Sequence, residues 1–392
     1  MKRKTTFCGV TLKNPLIAGS CDNSRSLEQS KKIIQSGIGG IVLKSLTDVV
    51  PLQNRRIARF LSLNTESTPW QPGDAKGGFF SRGGSMLSQK DWEQNLREIR
   101  PLAADHDVVL IGNICAAYLQ NWKTYACIVE DSGMPLIELN LGNPHYGSIE
   151  EPMGARISQM EELLYNIIDS VSQVVSIPVI AKLSPQVSDI VRLAETCKDA
   201  GAAAVTISHR FQGFMVDIDS GRPFSRHLYG YGGPWLVPIT LGYVYKIATS
   251  LDIPICGSGG ISRWEDIVQF LATGASTVQI TSALMLEGPS MVDTCLDGIS
   301  SYCEQHSYSS FQDIVGSALT SDGIYDSFAD DSTIIVANPD SCRRCDDRPC
   351  INACFFDALH WRGNALVVSD TCTSCGLCIQ YCPFEGTLKR TE

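Results

Sequence analysis

The sequence predicts an α/β protein in which a (β/α)8 TIM barrel is followed by a small cysteine-rich domain. Two observations support this fold class. Residues 1–300 repeat one rhythm, in which a short apolar run rich in β-branched residues precedes a polar or glycine-rich loop and then a helical stretch. Eight of the 16 cysteines are crowded between Cys342 and Cys382. We therefore expect two domains with different chemistry.

Eight apolar runs are predicted to be the strands of the barrel. They are Pro15–Ala18, Gly40–Lys44, Val108–Asn113, Leu136–Leu141, Val179–Leu183, Ala203–Ser208, Ile253–Gly257 and Thr277–Thr281. Amphipathic segments between them predict helices, and strands that alternate with helices form a parallel sheet. An open doubly wound sheet is the alternative, but it usually carries a Gly-x-Gly-x-x-Gly turn after the first strand. Here the first strand runs into Ala-Gly-Ser-Cys-Asp-Asn, which favours the closed barrel.

Charge and hydropathy exclude several classes of partner. The net charge of −10 argues against a protein that binds nucleic acid by neutralising phosphates. The sequence contains no run of 18 apolar residues, so it predicts no membrane span. No apolar segment follows the basic start, so it predicts no signal peptide. We expect a cytoplasmic protein that has no nucleic-acid or membrane partner.

Two long glycine-rich loops, residues 46–88 and 209–236, follow the second and sixth predicted strands. Long loops at the carboxyl end of a barrel commonly form lids and substrate walls, so we expect them to cover a site. Simple surface decoration is the alternative.

The C-terminal cysteines form two groups, Cys342-x2-Cys345-x4-Cys350-x3-Cys354 and Cys372-x2-Cys375-x2-Cys378-x3-Cys382-Pro383. The second group is the bacterial ferredoxin run, in which three thiolates hold one cubane and the fourth ligates the partner cluster. Two groups predict a bacterial-type 2x[4Fe-4S] ferredoxin domain with crossed ligation. One cluster would use Cys342, Cys345, Cys350 and Cys382, and the other Cys354, Cys372, Cys375 and Cys378. Two structural zinc sites are the alternative, which the Cys-Pro ending and the spacing disfavour.

Several strand ends in the barrel carry groups that suit a flavin mononucleotide. The segments 256–261 and 279–282 end strands seven and eight, where barrels commonly bind phosphate. Lys44 and Lys182 end otherwise apolar strands, and burying a lysine is costly unless an anion meets it. A salt bridge to a neighbouring carboxylate such as Glu138 is the alternative for each lysine. Asn113 and Asn140 also end strands and suit amide contacts to a flavin edge.

A set of short motifs carries a resemblance to a known family. They are Asn14-Pro15-Leu16, Ala18-Gly19, Lys44-Ser45, Glu138-Leu139-Asn140-Leu141, Ala181-Lys182-Leu183, Gly232-Gly233-Pro234, the run Gly257–Ile261 and the run Gln279–Leu284. With them the barrel resembles the dihydroorotate dehydrogenase superfamily, and the whole layout resembles the barrel-plus-ferredoxin catalytic subunits of bacterial dihydropyrimidine dehydrogenases. The resemblance implies that FMN is surrounded by Ala18, Gly19, Lys44, Ser45, Asn113, Asn140, Lys182, Ile207, Ser208, Gly232, Gly233, Gly259, Gly260, Thr281 and Ser282.

The substrate side departs from that family. The loop after strand four reads Asn140-Leu141-Gly142-Asn143-Pro144-His145, so Asn143 stands where some family members have an acid/base cysteine. Other members carry a reactive cysteine after a Met-Gly pair. Here Met153-Gly154 is followed by Ala155-Arg156-Ile157, so that cysteine is also missing. Histidines titrate near the working pH and become the expected proton donors. The catalytic candidates are His145, His209 and Lys44, and the weaker ones are Tyr146, Cys21 and Cys115.

These observations predict an oxidoreductase that uses FMN and two [4Fe-4S] clusters to act on an activated C=C or CH–CH bond of a small cyclic substrate. The pyrimidine site is altered, so we expect a substrate different from that of the family. The alternatives are a non-catalytic electron-transfer subunit of a larger complex and an iron–sulfur scaffold without flavin. Residues 1–310 would form the barrel, 311–335 a connector and 336–392 the ferredoxin-like domain. The expected electron partner is an NAD(P)H-oxidising flavoprotein subunit or a ferredoxin, and we expect a homo-oligomer.

Overall fold

A computed structural model describes residues 1–55, 58–66, 69, 71, 75–144, 147, 151–224, 228–319 and 335–390. The chain divides into two compact units, Met1–Leu319 and Thr320–Glu392. In the part of the chain that the structure describes, no helix is both long and apolar enough to cross a membrane.

The strands and helices are numbered in chain order. The strands are β1 (Thr5–Phe7), β2 (Val10–Leu12), β3 (Leu16–Ala18), β4 (Gly40–Val42), β5 (Arg59–Asn64), β6 (Lys76–Arg82), β7 (Val109–Ile114), β8 (Ile137–Asn140), β9 (Val179–Lys182), β10 (Ala204–Ile207), β11 (Phe211–Gly213), β12 (Val216–Asp217), β13 (Arg222–Pro223), β14 (Tyr229–Gly232), β15 (Ile255–Ser258), β16 (Thr277–Ile280), β17 (Ile335–Ala337), β18 (Leu359–Arg362), β19 (Ala365–Val368) and β20 (Leu388–Arg390). The α-helices are α1 (Leu27–Ile34), α2 (Val50–Gln53), α3 (Gln89–Asp105), α4 (Leu119–Asp131), α5 (Glu161–Ser172), α6 (Ile190–Asp199), α7 (Val237–Ser250), α8 (Trp264–Ala272), α9 (Ser282–Leu286), α10 (Met291–Gln305), α11 (Pro339–Cys342), α12 (Pro349–Asn352) and α13 (Leu377–Gln380).

Eight parallel strands close into the predicted barrel, in the order β10, β15, β16, β3, β4, β7, β8 and β9. Each of the eight predicted runs overlaps one of these strands, so the predicted barrel is confirmed. The strands are built from Val, Ile and Leu and are buried on both faces, as expected where helices cover a parallel sheet. The barrel places the carboxyl ends of all eight strands at one end of the molecule.

The outer helices are positioned by their caps and their apolar stripes. The side chains of Ser26, Ser88 and Asp189 accept hydrogen bonds from the first turns of α1, α3 and α6. On α3, Trp92 and Ile99 lie on one face and are fully buried against the sheet.

The hairpin of β1 and β2 closes the amino end of the barrel. Its Phe7 and Leu12 are buried together with the inward-facing Ile17, Val42 and Ile111. A packed plug at this end leaves the carboxyl ends of the strands as the place where a ligand can enter.

The two long loops pair with each other. Strands β5 and β6 come from the loop after β4, and β11 and β14 come from the loop after β10. Together they form one antiparallel sheet in the order β11, β14, β6 and β5. Their predicted role as lids thus takes the form of a single four-stranded cover.

The first compact unit extends beyond the predicted boundary at residue 310. Phe311 and Ile314 are fully buried in the main core, and the unit continues to Leu319. The second unit contains the antiparallel pairs β17–β20 and β18–β19 around a small core that includes Leu359 and Leu388.

Candidate functional site

A cavity lies at the carboxyl ends of the barrel strands and is bordered by the four-stranded cover. It contains about 820 Å³ of empty space, part of which opens to solvent. Its walls come from β3, β4, β9, β10, β15 and β16 and from the cover strands β6 and β14. This is the end of the barrel where such folds carry their active sites.

A fully buried carboxylate organises the floor beside this cavity. Glu138 accepts hydrogen bonds from Asn113 Nδ2 at 3.0 Å, from Thr206 Oγ1 at 2.9 Å and from Gln279 Nε2. The ammonium of Lys182 lies 3.9 Å from Glu138 and donates to Gln279 Oε1 at 2.5 Å. The predicted alternative for Lys182, an ion pair with Glu138, is therefore present. Lys182 also lines the cavity, so its ammonium nitrogen is placed to contact both Glu138 and a ligand bound in the cavity.

Beside this carboxylate, three polar side chains form a chain across neighbouring strands. Asn140 Nδ2 donates to Ser45 Oγ at 3.3 Å, and Ser45 Oγ donates to Asn113 Oδ1. The amide oxygen of Asn140 is buried and has no hydrogen-bond partner among the described residues. An unsatisfied buried acceptor is rare in folded proteins, and it marks a position where a ligand N–H group would complete the network.

A second ion pair borders the cavity at the ends of β3 and β4. Lys44 Nζ lies 3.4 Å from Asp22, which also accepts the backbone N–H of Gly84 at 3.0 Å. Burial lowers the pKa of Lys44, and Asp22 opposes that shift. Burial likewise raises the pKa of the neighbouring Cys21, so its thiol keeps its proton near neutral pH. Asp22 thus links the barrel to the cover while partly neutralising Lys44.

A histidine and an arginine follow the end of β10. The backbone N–H of His209 donates to Leu183 O at 2.9 Å, and the ring Nδ1 accepts the N–H of Arg210 at 2.8 Å. Because Nδ1 accepts a hydrogen bond in this contact, the neutral ring carries its own proton on Nε2. Arg210 Nη1 donates to Ser81 O at 3.3 Å, and burial lowers the pKa of the guanidinium to about 10.

Glycines allow the backbone to approach the cavity after β15. Gly259 and Gly260 have φ values of +119° and +84°, which residues with a Cβ rarely adopt. A Cβ at Gly260 would lie 2.6 Å from the carbonyl oxygen of Gly233 and 2.9 Å from the backbone nitrogen of Val237. The chain therefore keeps this edge of the cavity free of side chains, as a close backbone contact with an anion requires.

Most of the predicted site residues line the cavity. They are Lys44, Lys182, Ser208, His209, Gly232, Gly233, Gly259, Gly260, Thr281 and Ser282, together with the weaker candidate Cys21. Others lie in the adjoining strand ends without lining it. They are Ala18, Gly19, Ser45, Asn113, Asn140 and Ile207.

Three predicted candidates remain. His145 and Tyr146 lie outside the described residues. Cys115 packs in a separate apolar cluster with Leu52 and Met153, and burial raises its pKa to about 12. Its thiol is therefore an inert part of the core.

Asp22, Arg210 and Gln279 contribute to the site but were not among the predicted site residues. Each stands at or just beyond a strand end, which was a usable signal. Their roles depend on contacts between strands that are distant in sequence.

The eight C-terminal cysteines line two separate cavities, each with about 310 Å³ of empty space and each bordered by cysteines from both sequence groups. The first is bordered by Cys342, Cys345, Cys350 and Cys382, and the second by Cys354, Cys372, Cys375 and Cys378. These are the two crossed sets that the spacing predicts. The two extra residues before Cys350 are accommodated by a left-handed backbone at Arg348, with φ of +40°, immediately before α12.

Two backbone donors face sulfurs of the second set. Backbone N–H groups of Ala358 and Ser374 donate to the sulfurs of Cys354 and Cys372 at 3.3 and 3.4 Å, as is common around cluster thiolates.

Comparison with known proteins agrees with this architecture. Residues 2–302 match the family model described as dihydroorotate dehydrogenase, and residues 365–385 match a 4Fe-4S binding domain. The catalytic subunit of dihydroorotate dehydrogenase B (NAD(+)) from Pyrococcus abyssi is 34% identical over 314 residues, covering 79% of this chain and 97% of the relative. The corresponding subunit from Pyrococcus furiosus is 33% identical over 319 residues, covering 81% of this chain and 99% of the relative.

A second kind of relative extends into the cysteine-rich part of the chain. The NAD-dependent dihydropyrimidine dehydrogenase subunit PreA of Escherichia coli is 29% identical over 373 residues, covering 91% of this chain and 87% of the relative. The chain therefore belongs to the dihydroorotate dehydrogenase family and is an FMN-dependent oxidoreductase that acts on CH–CH bonds and carries an iron–sulfur domain.

Proposed function

We propose that the barrel holds one FMN in its cavity and catalyses hydride and proton transfer on a small cyclic substrate that carries an acidic group. FMN supplies the hydride chemistry when it is bound. The observation that carries this proposal is the pair of polar groups at the ends of β8 and β9: Lys182 lines the cavity and is held by buried partners, and the amide oxygen of the adjoining Asn140 has no partner among the described residues. A cation and a free acceptor on neighbouring strands fit the polar edge of a flavin ring.

The other residues fit the same group. The open backbone at Gly259 and Gly260 and the hydroxyls of Thr281 and Ser282 would hold its phosphate. Lys182 would face the edge of the ring on which negative charge develops, and Lys44 would lie toward the substrate.

The proposal that the substrate carries an acidic group rests on the charges around the cavity. Arg210 lines the cavity, and no carboxylate in the described part of the chain lies within 4.0 Å of its guanidinium. Lys44 has one carboxylate partner, Asp22. Because arginine stays charged near neutral pH, the cavity keeps a cation that a substrate carboxylate would neutralise.

Matched substrate pairs test this selectivity. After anaerobic reduction, unsaturated cyclic carbonyl compounds that carry a carboxylate should reoxidise the protein faster than their methyl esters. Arg210→Gln should reduce this preference by roughly 10-fold or more, because a hydrogen bond to a charged group is worth about 1.5–3 kcal/mol. The measurement is the reoxidation rate followed by flavin absorbance in single-turnover experiments.

The control for this prediction is Arg192→Gln, which removes an exposed guanidinium on α6 that is paired with Glu161. It should leave the preference unchanged. Equal rates for acid and ester in the unmodified protein would show that the cavity does not select an acidic substrate.

His209 is the proposed proton donor within the described residues. It lines the cavity, and as an imidazolium it can donate a proton from Nε2, giving up the hydrogen bond that Nδ1 of the neutral ring accepts from Arg210 N–H. We expect His209→Asn to lower turnover by about 10²–10⁴-fold, since this is the usual contribution of general acid catalysis. Flavin content and reduction of the clusters should stay normal.

The comparison variant for His209→Asn is His306→Asn, which changes a histidine just after α10 whose ring centre lies 4.2 Å from that of Tyr302. It should turn over normally. If His209→Asn also turns over normally, the proton comes from His145, Tyr146 or Cys21. If none of these variants affects any substrate, the electron-relay alternative gains support.

The domain after the barrel is proposed to carry two [4Fe-4S] clusters, with residues 336–392 as the cluster domain. This rests on the two cavities lined by crossed cysteine sets. The proposed electron partner is an NAD(P)H-oxidising flavoprotein subunit or a ferredoxin, which would exchange electrons through these clusters. We further propose that the protein is cytoplasmic and forms a homo-oligomer.

A further inference from the structure

The two cysteine-lined cavities differ in the charge of their walls. Apart from its thiols, the cavity of Cys354, Cys372, Cys375 and Cys378 is bordered by uncharged residues in the described chain. The cavity of Cys342, Cys345, Cys350 and Cys382 is bordered by one guanidinium, that of Arg348. Arg348 lies in the four-residue spacer before Cys350, which is two residues longer than the ferredoxin spacing. This spacer thus places a cation at one of the two cavities.

The guanidinium of Arg348 is held in a defined position. Its central carbon lies 3.9 Å from the ring centre of Trp361, which lines the same cavity. Its Nη1 donates to the carbonyl oxygen of Asp346 at 3.2 Å. The backbone of Arg348 adopts a left-handed conformation that is unfavourable for a residue with a Cβ. Such a conformation is retained where the surrounding structure requires it.

Two polar donors at this cavity have no partner. The Nε atom of Arg348 and the Oγ1 atom of Thr387 are both buried and make no hydrogen bond to any described residue. Both residues line the cavity of the first cysteine set. Buried donors are nearly always satisfied in folded proteins, so these two indicate an acceptor in that space. The sulfur atoms of an iron–sulfur cluster and its thiolates would be such acceptors.

We propose that Arg348, together with Thr387, stabilises the reduced form of the cluster bound by Cys342, Cys345, Cys350 and Cys382, so that this cluster is reduced before the other one. The inference rests on the proposed two-cluster domain. Each cluster accepts one electron, which makes it more negative by one charge. A cation and a donor beside it therefore favour the reduced form.

The second cavity has donors of its own, and they are weaker. The N–H groups of Ala358 and Ser374 donate to the sulfurs of Cys354 and Cys372. These are neutral donors, whereas charge-assisted hydrogen bonds are roughly twice as strong. The cation at the first cavity should therefore decide the order of reduction.

The test is an anaerobic redox titration of the full-length holoprotein with dithionite, monitored by electron paramagnetic resonance. We expect two one-electron steps. In Arg348→Gln the step at higher potential should move to lower potential, corresponding to about a 10-fold or larger loss in the equilibrium constant for reduction. The step at lower potential should stay in place. Arg344→Gln is the matched control, because Arg344 lies over the ring of Phe384 at 5.3 Å without lining the cavity.

Further variants show which reduction step belongs to which cluster, and they keep the test decisive if a substitution prevents a cluster from assembling. Cys378→Ser, which lacks a ligand of the second cluster, should keep only the step at higher potential. Thr387→Val should lower the same step while preserving side-chain shape, and Arg348→Lys should lower it less than Arg348→Gln does. If Arg348→Gln fails to assemble the first cluster, these two variants decide the outcome.

An unchanged step at higher potential in fully loaded variants, or a shift in the other step, would overturn the inference. Iron content separates this outcome from failure of the two-cluster proposal. A chain with about four irons instead of about eight would refute the latter.

Discussion

Cys378→Ser should remove about four of the eight irons expected per chain and leave FMN bound in the barrel. Cys378 borders only the second cysteine-lined cavity, with Cys354, Cys372 and Cys375, so the first set remains complete. We expect electron exchange with an external protein partner to fall to background, while reduced FMN still reacts with substrate. Iron and acid-labile sulfide analysis, flavin release and a reductase-coupled assay measure these three effects.

Cys127→Ser is the matched control for this substitution. Cys127 is a half-buried thiol of the barrel that donates to Val174 O at 3.8 Å, a contact that a serine hydroxyl can make. This variant should keep all of its iron. Stoichiometric zinc with little iron in the unmodified protein would contradict the cluster assignment. Loss of all iron from Cys378→Ser would contradict the proposal that each cysteine set holds its cluster independently of the other.

Glu138→Ala should lower the free energy of unfolding of the barrel by about 3–5 kcal/mol, because it leaves the buried Lys182 without its carboxylate. It also removes the acceptor used by Asn113, Thr206 and Gln279. We expect a lower denaturation midpoint in urea, followed by circular dichroism, and a weaker affinity for FMN. The reason for the second effect is that Lys182 and Gln279 both border the cavity.

Glu161→Ala provides the comparison, because Glu161 pairs with Arg192 on an exposed helix surface. Exposed ion pairs typically contribute less than about 1 kcal/mol, so this variant should unfold close to the unmodified protein. Similar midpoints for Glu138→Ala and Glu161→Ala would mean that Glu138 does not anchor the floor of the site.

The barrel was predictable because its signals are local. Each strand is a short apolar run, each helix has a 3.6-residue apolar period, and the alternation of the two specifies a parallel sheet. All eight predicted strands are found, with boundaries that differ by a few residues. The pairing of the two long loops was not predictable in this way, since β6 and β14 are separated by more than 100 residues and their register depends on contact across the cavity.

The site was predictable to the extent that parallel strands bring their carboxyl ends together. That rule places Lys44, Lys182 and His209 at one cavity, as the structure shows. It says nothing about which side chains satisfy one another. The pairing of Asp22 with Lys44 joins two different strand ends, and only the packed barrel brings them to 3.4 Å.

The cysteine spacing by itself predicted which cysteines line each of the two separate cavities, because ligation of a cluster restricts how far apart its cysteines lie along the chain. Tertiary structure decided what surrounds each set. Arg348 is remote in sequence from Trp361 and Thr387, and the fold brings all three to the cavity of the first set. Sequence patterns record local geometry and ligand type, whereas the partners that hold a charged side chain beside a buried site come from other segments and are known only once the chain has packed.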